Sequence, residues 1–336
     1  MQRIGIVTSP GFHIMNVAAA SVFEVANSCL EERRYKVCFI SESGGLVAAP
    51  NGICVETEAF DELTILDTLI VEGGDLSALP TEGLLNFIRS APRISRRIAT
   101  TGAGTFILAE AGLLDDKRAT IHWAHAPELR SRFPKVKVEE DKIFVVDGSI
   151  WTTAGMTASW DLVIAMIEMD VGRQVAREVA KKMVMYRRRP GAHPQVSTML
   201  QLEPRSDRIQ RVLAYAEQNL RAPLTVEELA QVANLSPRQF TRAFHVETGE
   251  SPAKAVEKLR IEAARLMMEQ GRYPIEFIAQ QTGFIDRERM RRAFRRAFGQ
   301  PPQVVRRNAQ NGTILLDKFG NLNLRLPLNV STSINN

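Results

Sequence analysis

The C-terminal half contains the stretch Leu224-Thr-Val-Glu-Glu-Leu-Ala-Gln-Val-Ala-Asn-Leu-Ser-Pro-Arg-Gln-Phe-Thr-Arg-Ala-Phe244, and a similar stretch follows, Ile275-Glu-Phe-Ile-Ala-Gln-Gln-Thr-Gly-Phe-Ile-Asp-Arg-Glu-Arg-Met-Arg-Arg-Ala-Phe294. The tripeptide Arg-Ala-Phe occupies 242–244 and recurs 50 residues later at 292–294. After each copy, a glycine and then a proline follow at the same distances. Two copies at a fixed offset indicate a duplicated unit that contacts one extended partner at two places.

Each copy is predicted to form a helix, a tight turn and a second helix. Thr225 is placed to cap the first helix, with Glu228 as its capping-box partner. Asn234 in the first copy and Gly283 in the second are suited to the left-handed conformation that ends a helix. Ser236, followed by a proline, is a typical start for the second helix. Both copies therefore predict a helix-turn-helix.

The second helix of each copy has an apolar side that faces inward and a polar side that faces outward. The outward side chains are Arg238, Thr241 and Arg242 in the first copy and Arg287, Glu288, Arg291 and Arg292 in the second. Arginine on such a face binds phosphates or the edge of a guanine in the major groove. A charged stripe is also typical of a merely solvated helix face, but the duplication favours DNA as the partner.

This region resembles the AraC/XylS family of transcription factors. The residues that match the family signature of the second copy are Ile275, Ile278, Ala279, Gly283, Phe284, Asp286, Arg292, Phe294, Gly299 and Pro302. The chain departs from the family at Glu288-Arg289-Met290, where Ser-Tyr-Phe is frequent, so its second recognition helix is unusually basic. The resemblance implies a homodimeric activator whose partners are promoter DNA and RNA polymerase.

The charge distribution agrees with a DNA-binding C-terminal region. Residues 206–310 contain 18 Lys and Arg against 12 Asp and Glu, a net charge of +6, whereas the whole chain carries +5. The rest of the chain therefore sums to −1, and the positive charge is confined to the region that is expected to bind DNA.

The 336 residues predict two domains with a linker. We expect a ligand-sensing and dimerisation domain over 1–190, a Pro/Gly-containing linker over 191–205, the DNA-binding domain over 206–308 and a tail over 309–336. Apolar strands and amphipathic helices alternate in the first domain, with strands at 4–8, 37–40, 68–71 and 97–101. This order predicts a doubly wound α/β domain, of the flavodoxin-like and amidotransferase-like kind, followed by an all-α domain with two helix-turn-helix motifs.

Two strand ends in the first domain are candidate ligand sites, because parallel sheets bind ligands at the carboxyl ends of their strands. Gly73 and Gly74 follow the third predicted strand, and Thr101-Gly102-Ala103 forms a strand-to-helix turn similar in pattern to a nucleophile elbow. We also expect His122 and Trp123 to line the pocket at this edge.

Residues 2–192 resemble the class I amidotransferase-like, PfpI-type superfamily, in the GlxA-like branch that is fused to AraC domains. The resemblance is carried by the paired glycines, by Leu108-Ala-Glu-Ala-Gly-Leu-Leu114, by Ala119-Thr-Ile-His-Trp123, and by Trp151-Thr-Thr-Ala-Gly155 with Asp161 and Arg189-Pro190-Gly191. It implies that the catalytic cysteine of the superfamily falls on Gly102 and its partner histidine on His122. Glycine has no nucleophile, so the domain is predicted not to be an enzyme.

Other features predict a cytoplasmic protein without a cofactor or metal. There is no 18-residue apolar run and no signal-peptide pattern at the N-terminus, so we expect no membrane segment. The three cysteines, Cys29, Cys38 and Cys54, lack metal-binding spacing and are expected to be buried free thiols.

The resulting hypothesis is a sequence-specific regulator of transcription, in which a small nitrogenous metabolite acts as inducer by binding to the inactive amidotransferase-like domain. Trp123 and Trp151 are candidate aromatic contacts for an ammonium group, although the sequence favours a core-packing role for each. The alternative is a PfpI-type hydrolase or hydratase tethered to DNA, which Gly102 opposes. A third hypothesis, an architectural DNA-binding protein without a ligand, is disfavoured by the well-formed elbow pattern.

Overall fold

The computed structural model describes residues 1–60, 65–74, 79–186, 188–269, 271 and 273–310. The predicted tail, 309–336, lies outside these residues from position 311 onward. None of the helices in the described part of the chain combines the length and hydrophobicity that are needed to cross a bilayer.

The N-terminal half is built on one eight-stranded, mostly parallel sheet. The strands of the chain are β1 (Gln2–Val7), β2 (Tyr35–Ser41), β3 (Ser43–Ala48), β4 (Cys54–Ala59), β5 (Leu66–Gly73), β6 (Ser95–Gly102), β7 (Arg118–Ala119), β8 (Lys137–Val138), β9 (Phe144–Asp147) and β10 (Ile150–Thr153). The order in the large sheet is β3-β4-β2-β1-β5-β6-β10-β9, and β7 pairs with β8 in a separate ribbon. This confirms the doubly wound fold and adds antiparallel edge strands, β3 and β9, that the sequence did not predict.

Helices cover both faces of the sheet. They are α1 (Ile14–Val17), α2 (Ala20–Asn27), α3 (Glu82–Ile94), α4 (Gly104–Glu110), α5 (Ala126–Arg132), α6 (Ala158–Val171) and α7 (Arg173–Lys182), with a short 3-10 helix at Trp123–His125. α3, α4 and α5 enclose one apolar core against the sheet, and α2, α6 and α7 enclose the other. The sheet is thus buried on both faces, which explains why its central strands are nearly continuous apolar runs.

The C-terminal half is entirely helical in its described residues. Its helices are α8 (Thr198–Gln201), α9 (Asp207–Gln218), α10 (Val226–Val232), α11 (Pro237–Thr248), α12 (Pro252–Glu269), α13 (Ile275–Gln281), α14 (Arg287–Phe298) and α15 (Pro302–Gln310). The helix-turn-helix units are α10–α11 and α13–α14. The first half of α12 packs into the core of the first unit and its second half into the core of the second, so this long helix joins them.

The turn of the first unit forms as its sequence predicts. Thr225 accepts a hydrogen bond from the backbone N–H of Glu228, and Asn234 has a φ of +54°. Ser236 and Gln239 form a capping box at the start of α11. Only the role of Glu228 differs, because its carboxylate accepts hydrogen bonds from Tyr215 and from the N–H of Leu224 instead of closing a box with Thr225.

The segment predicted as a linker is held to both halves of the chain. The backbone carbonyl of His193 accepts a hydrogen bond from Ile143 in the N-terminal half, and the N–H of Thr198 donates to Glu262 on α12. The segment also contains α8. It is therefore a bridge with contacts on each side.

The cysteines are free thiols, but only one is buried. Cys38 lies in the core, Cys29 is half-buried and Cys54 is exposed at the start of β4. The expectation that all three are buried was wrong, because Cys54 belongs to a solvent-facing edge hairpin that was not predicted.

Candidate functional site

The carboxyl ends of β1, β5 and β6 meet at one edge of the sheet. β1 pairs with β2 on one side and with β5 on the other, so the chain reverses its winding direction at β1. In the register of β5 and β6, Gly73 lies beside Gly102. This reversal point is where open α/β sheets bind their ligands. The two glycine-containing turns singled out from the sequence are therefore neighbours at this position.

The elbow at Gly102 is closed by a side chain that the sequence did not single out. Gly102 has a φ of +54°, and a Cβ built on it would overlap the side-chain amide nitrogen of Asn16. The side-chain carbonyl oxygen of Asn16 accepts a 3.0 Å hydrogen bond from the backbone N–H of Met156. Glycine alone would leave open space at the elbow, but Asn16, a buried residue of the short helix α1, fills it.

Glu72 is a fully buried carboxyl group beside the elbow. Its Oε1 accepts hydrogen bonds of 3.2 Å from the Asn16 side-chain amide and from the N–H of His13. Burial raises the pKa of Glu72 to about 8, against the lowering effect of these two hydrogen bonds. Its Oε2 and the neighbouring Thr101 Oγ1 have no hydrogen-bond partner among the described residues. Near neutral pH this carboxyl group is therefore largely protonated.

A cleft of about 300 Å³ opens next to the elbow, on the face of the sheet covered by α3 and α4. Gly73, Gly74 and Ala103 line its inner end. Two carboxylates, Glu42 and Glu110, and the ring of Phe106 line its sides. This volume is in the range that holds a small metabolite.

Arg132 also lines the cleft, but its charge is already neutralised. It forms ion pairs with Glu110 at 2.6 Å and with Glu128 at 3.0 Å, and its guanidinium lies 5.1 Å from the centre of the Phe106 ring. Glu42 accepts a 2.6 Å hydrogen bond from the Thr81 hydroxyl and has no ion pair among the described residues. The cleft consequently carries unneutralised negative charge beside an aromatic ring.

His122 and Trp123 lie apart from this cleft and do not line it. The His122 Nδ1 accepts a hydrogen bond from the N–H of Ala124, and burial, followed by the charge of His125, lowers the pKa of His122. Trp123 is 57 % exposed, and its backbone N–H donates a 2.7 Å hydrogen bond to the side-chain oxygen of Gln195 in the linker. The structure thus brings together five of the seven predicted ligand-site residues, whereas His122 and Trp123 are not among the residues that line the cleft.

The outward face of α11 presents the first set of predicted DNA contacts. Phe240 and Phe244 are buried, while Arg238, Thr241 and Arg242 are exposed. The Thr241 hydroxyl donates to the carbonyl of Pro237. Neither arginine forms an ion pair within the described part of the chain, so both guanidinium groups are available to a ligand.

The outward face of α14 is partly neutralised by acidic neighbours. Arg287 pairs with Glu276 at 3.0 Å, and Arg291 pairs with Glu288 at 2.6 Å. These hydrogen bonds to Arg291 lower the pKa of Glu288, which is therefore ionised. Arg292 is exposed and has no ion pair among the described residues. Of the four predicted contacts on this helix, it is the one with an uncompensated positive charge.

No group of histidine, cysteine or acidic side chains in the described residues is arranged to hold a metal ion.

Comparison with known proteins identifies both halves. Residues 229–308 match the helix-turn-helix domain family and residues 16–169 match the DJ-1/PfpI family. The chain is 30% identical over 314 residues to the HTH-type transcriptional regulator GlxA of Rhizobium meliloti, covering 92% of this chain and 97% of that protein. It is 31% identical over 302 residues to the HTH-type transcriptional regulator CdhR of Pseudomonas aeruginosa, covering 88% and 89% of the two chains.

One enzyme is similar to a smaller share of the chain. Isonitrile hydratase of Pseudomonas putida is 32% identical over 142 residues, which is 42% of this chain and 58% of the enzyme. Among solved structures, an AraC family transcriptional regulator from Pseudomonas putida has a TM-score of 0.50 and 20% identity, and covers 55% of this chain and 100% of that one. This last similarity concerns the fold alone.

Proposed function

The chain belongs to the family of HTH-type transcriptional regulators that join a DJ-1/PfpI domain to an AraC-type helix-turn-helix domain, and on that premise we propose that it activates specific promoters in response to a small metabolite. The observation that carries this proposal is the pair of recognition helices. Both present exposed arginines, Arg238 and Arg242 on one and Arg292 on the other, that form no ion pair with any described residue, and they are joined by the single helix α12. Such an arrangement contacts successive stretches of one duplex.

In this proposal the effector binds in the cleft at the carboxyl edge of the sheet. Gly73, Gly74 and Ala103 contact it, and Thr101 and Gly102 support these residues from the elbow. His122 and Trp123 act through the neighbouring surface, where Gln195 of the linker is bound.

A positively charged nitrogenous compound suits the cleft best. The carboxylate of Glu42, which has no ion pair among the described residues, attracts a cation. Glu110 and the Phe106 ring are already in contact with the Arg132 guanidinium, so a cationic ligand there would compete with Arg132. A neutral compound of the same shape gains no ion pair with Glu42 and is expected to bind much more weakly.

We propose further that the amidotransferase-like domain performs no covalent catalysis. The elbow carries Gly102, and Asn16 occupies the volume where a nucleophilic side chain would stand. None of the three cysteines lies on the elbow. The rival, a hydratase tethered to DNA, is disfavoured because isonitrile hydratase matches 42% of this chain, whereas the regulator GlxA matches 92%.

The remaining proposals concern assembly. A homodimer would present two copies of the paired recognition helices to a promoter, and an activator of this kind would contact RNA polymerase. Both follow from the family resemblance and from the common use of dimers to read repeated half-sites.

The DNA-binding part is tested by selecting duplexes from a random library with the full-length protein and measuring affinity by fluorescence anisotropy. Arg242→Ala is expected to cost ~1–3 kcal/mol on the selected duplex and to relax preference at one base pair. Arg33→Ala, which removes an exposed arginine from the N-terminal half, serves as the control. Failure to select any sequence would contradict the proposal.

The effector part is tested with matched probes: choline against its neutral isostere 3,3-dimethylbutan-1-ol, and arginine against citrulline. At 100 times its dissociation constant, a bound cation should add ~2.7 kcal/mol of stability, which a thermal-shift assay detects. Glu42→Gln and Glu110→Gln should weaken this response, whereas Glu31→Gln at an exposed site should not. Equal responses to charged and neutral probes would exclude a cation site.

A further inference from the structure

A second cavity, of about 440 Å³, lies between α12 and α14 in the C-terminal half. Its lining includes four arginines, Arg260, Arg289, Arg292 and Arg296, which we name the arginine cluster. Glu257 is the one carboxylate among the residues that line it. The cluster therefore has a formal excess of three positive charges at the junction of the two helix-turn-helix units.

Arg260 fixes the position of the cluster. Its Nε donates to the carbonyl of Leu220 at 3.2 Å and its Nη2 donates to the carbonyl of Ala222 at 2.7 Å. These carbonyls belong to the loop that leads into the first unit, so Arg260 ties α12 to that loop. Burial lowers the pKa of Arg260, but an arginine in contact with carbonyl oxygens stays protonated near neutral pH. Its charge is held in place.

The other three members lie along one side of α14. Arg289, Arg292 and Arg296 are spaced three and four residues apart, so their guanidinium groups are neighbours on the helix surface. Like charges at this spacing destabilise a helix. Of these three arginines, only Arg296 forms an ion pair with a described residue, which is Glu257 at 2.8 Å.

The opposite flank of α14 is organised differently. Arg287 and Arg291 there are paired with Glu276 and Glu288. One side of the recognition helix is therefore neutralised within the chain, while the other keeps mutually repelling charges. An anionic partner on the second side would remove that repulsion.

We propose that the arginine cluster binds a backbone phosphate of the DNA strand that passes between the two recognition helices. This inference rests on the DNA-binding function. A duplex read by α11 and α14 in successive turns of its major groove has a sugar-phosphate backbone between the two contacts. The arginine cluster lies at the junction of the units, and the guanidinium group is suited to bidentate binding of a phosphate.

The proposal also accounts for an unusual feature of the sequence. Arg289 belongs to the Glu288-Arg289-Met290 segment, where the chain departs from its family pattern. Met290 is buried in the core of the second unit, whereas Arg289 is exposed on the side of the arginine cluster. The departure thus adds a phosphate-binding group and not a base-reading one, since phosphate contacts carry no direct sequence information.

The test compares Arg289→Gln and Arg292→Gln with the control Arg33→Gln in the full-length protein. Each is measured on a selected duplex and on a mixed-sequence duplex of equal length, over a range of salt concentrations. We expect each cluster variant to lose the same factor, ~3–10-fold, on both duplexes, and to reduce the slope of log K against log[salt] by about 1. Circular dichroism establishes that the variants are folded.

Two results would overturn the proposal. A loss confined to the selected duplex with an unchanged salt slope would make these arginines base readers. Unchanged DNA affinity, combined with loss of transcription in a purified polymerase assay, would assign the arginine cluster to an acidic protein surface. Failure of the DNA-binding function is distinguishable from both, because the wild-type protein would then bind neither duplex in a sequence-dependent way.

Discussion

At the elbow, the structure shows that the residues at 102 and 16 constrain each other. The elbow backbone keeps its positive φ, and Asn16 takes the volume beside it while bonding to Glu72 and Met156. The pocket expected from glycine is consequently displaced to the neighbouring cleft. The two positions must be energetically coupled, because a side chain at one excludes the side chain at the other.

We predict that Gly102→Ala lowers the free energy of unfolding by ~1–3 kcal/mol, through positive-φ strain and overlap with Asn16. In combination with Asn16→Ala the overlap is relieved, so the double variant should lose less stability than the sum of the single variants. Urea unfolding measures the four proteins of this cycle. Gly112→Ala is the control, because Gly112 has a φ of +78° but open space around its Cβ position. Additive losses of stability from Gly102→Ala and Asn16→Ala would show that the Asn16 side chain moves aside without an energetic cost.

Glu72 gives a prediction for pH. Its folded-state pKa of about 8 lies above the ordinary value of 4.5, so the folded protein binds this proton more tightly than the unfolded chain does. Stability contributed by Glu72 is therefore full below pH 4.5 and falls as the pH rises towards and past 8. Between pH 4.5 and 8, the free energy of unfolding of the wild type should fall by a few kcal/mol relative to that of Glu72→Gln, on the order of 1 kcal/mol per pKa unit.

The measurement is the unfolding midpoint of the wild type and of Glu72→Gln at pH 5.5, 7 and 8.5. With each increase in pH, the midpoint of the variant should rise relative to that of the wild type. Glu56→Gln, exposed on β4, is the control. A difference between wild type and Glu72→Gln that is constant over this range would contradict a protonated carboxyl group at this site.

At the scale of elements, the sequence predicts best what local chemistry determines. The helix-turn-helix units follow from caps and turn residues within about twenty positions, and Thr225, Asn234 and Ser236 perform the expected roles. The central parallel strands follow from apolar runs. The hairpin of β3 and β4 was missed because its strands are half-exposed and have no continuous apolar pattern.

The candidate cleft was predicted only in part, for a related reason. Its glycine-containing turns carry local signals, but Glu42, Phe106 and Glu110 come from different elements that only the folded sheet brings together. The ion pairs of the α14 arginines could not be predicted from the sequence either. Helical spacing places Arg287 and Arg292 on the surface, whereas the pairing of Arg287 depends on Glu276, which reaches it from α13.

At the scale of the whole molecule, the positive charge and the candidate cleft lie in different halves of the chain. The excess positive charge lies in residues 206–310, and the cleft lies in the N-terminal half. In the proposed function, a signal from the cleft passes through the bridge between them. His193 is its most buried polar residue: its backbone bonds to Ile143, and its ring lies 3.0 Å from Arg265 and 3.3 Å from Glu269 on α12. One residue thus joins the segment before β9, through its backbone, to the helix shared by both DNA-binding units, through its ring.

We predict that His193→Ala uncouples the two halves while each stays folded. All three tryptophans, Trp123, Trp151 and Trp160, belong to the N-terminal half, so their fluorescence reports its unfolding alone. In the wild type, DNA bound to the C-terminal half should raise the tryptophan unfolding midpoint, because ligand binding stabilises whatever unfolds with the bound part. In His193→Ala this shift should disappear although DNA affinity, measured by anisotropy, is retained. His125→Ala should behave as the wild type. A DNA-induced shift that survives in His193→Ala would assign the coupling to other bridge contacts, first among them the hydrogen bond between Thr198 and Glu262.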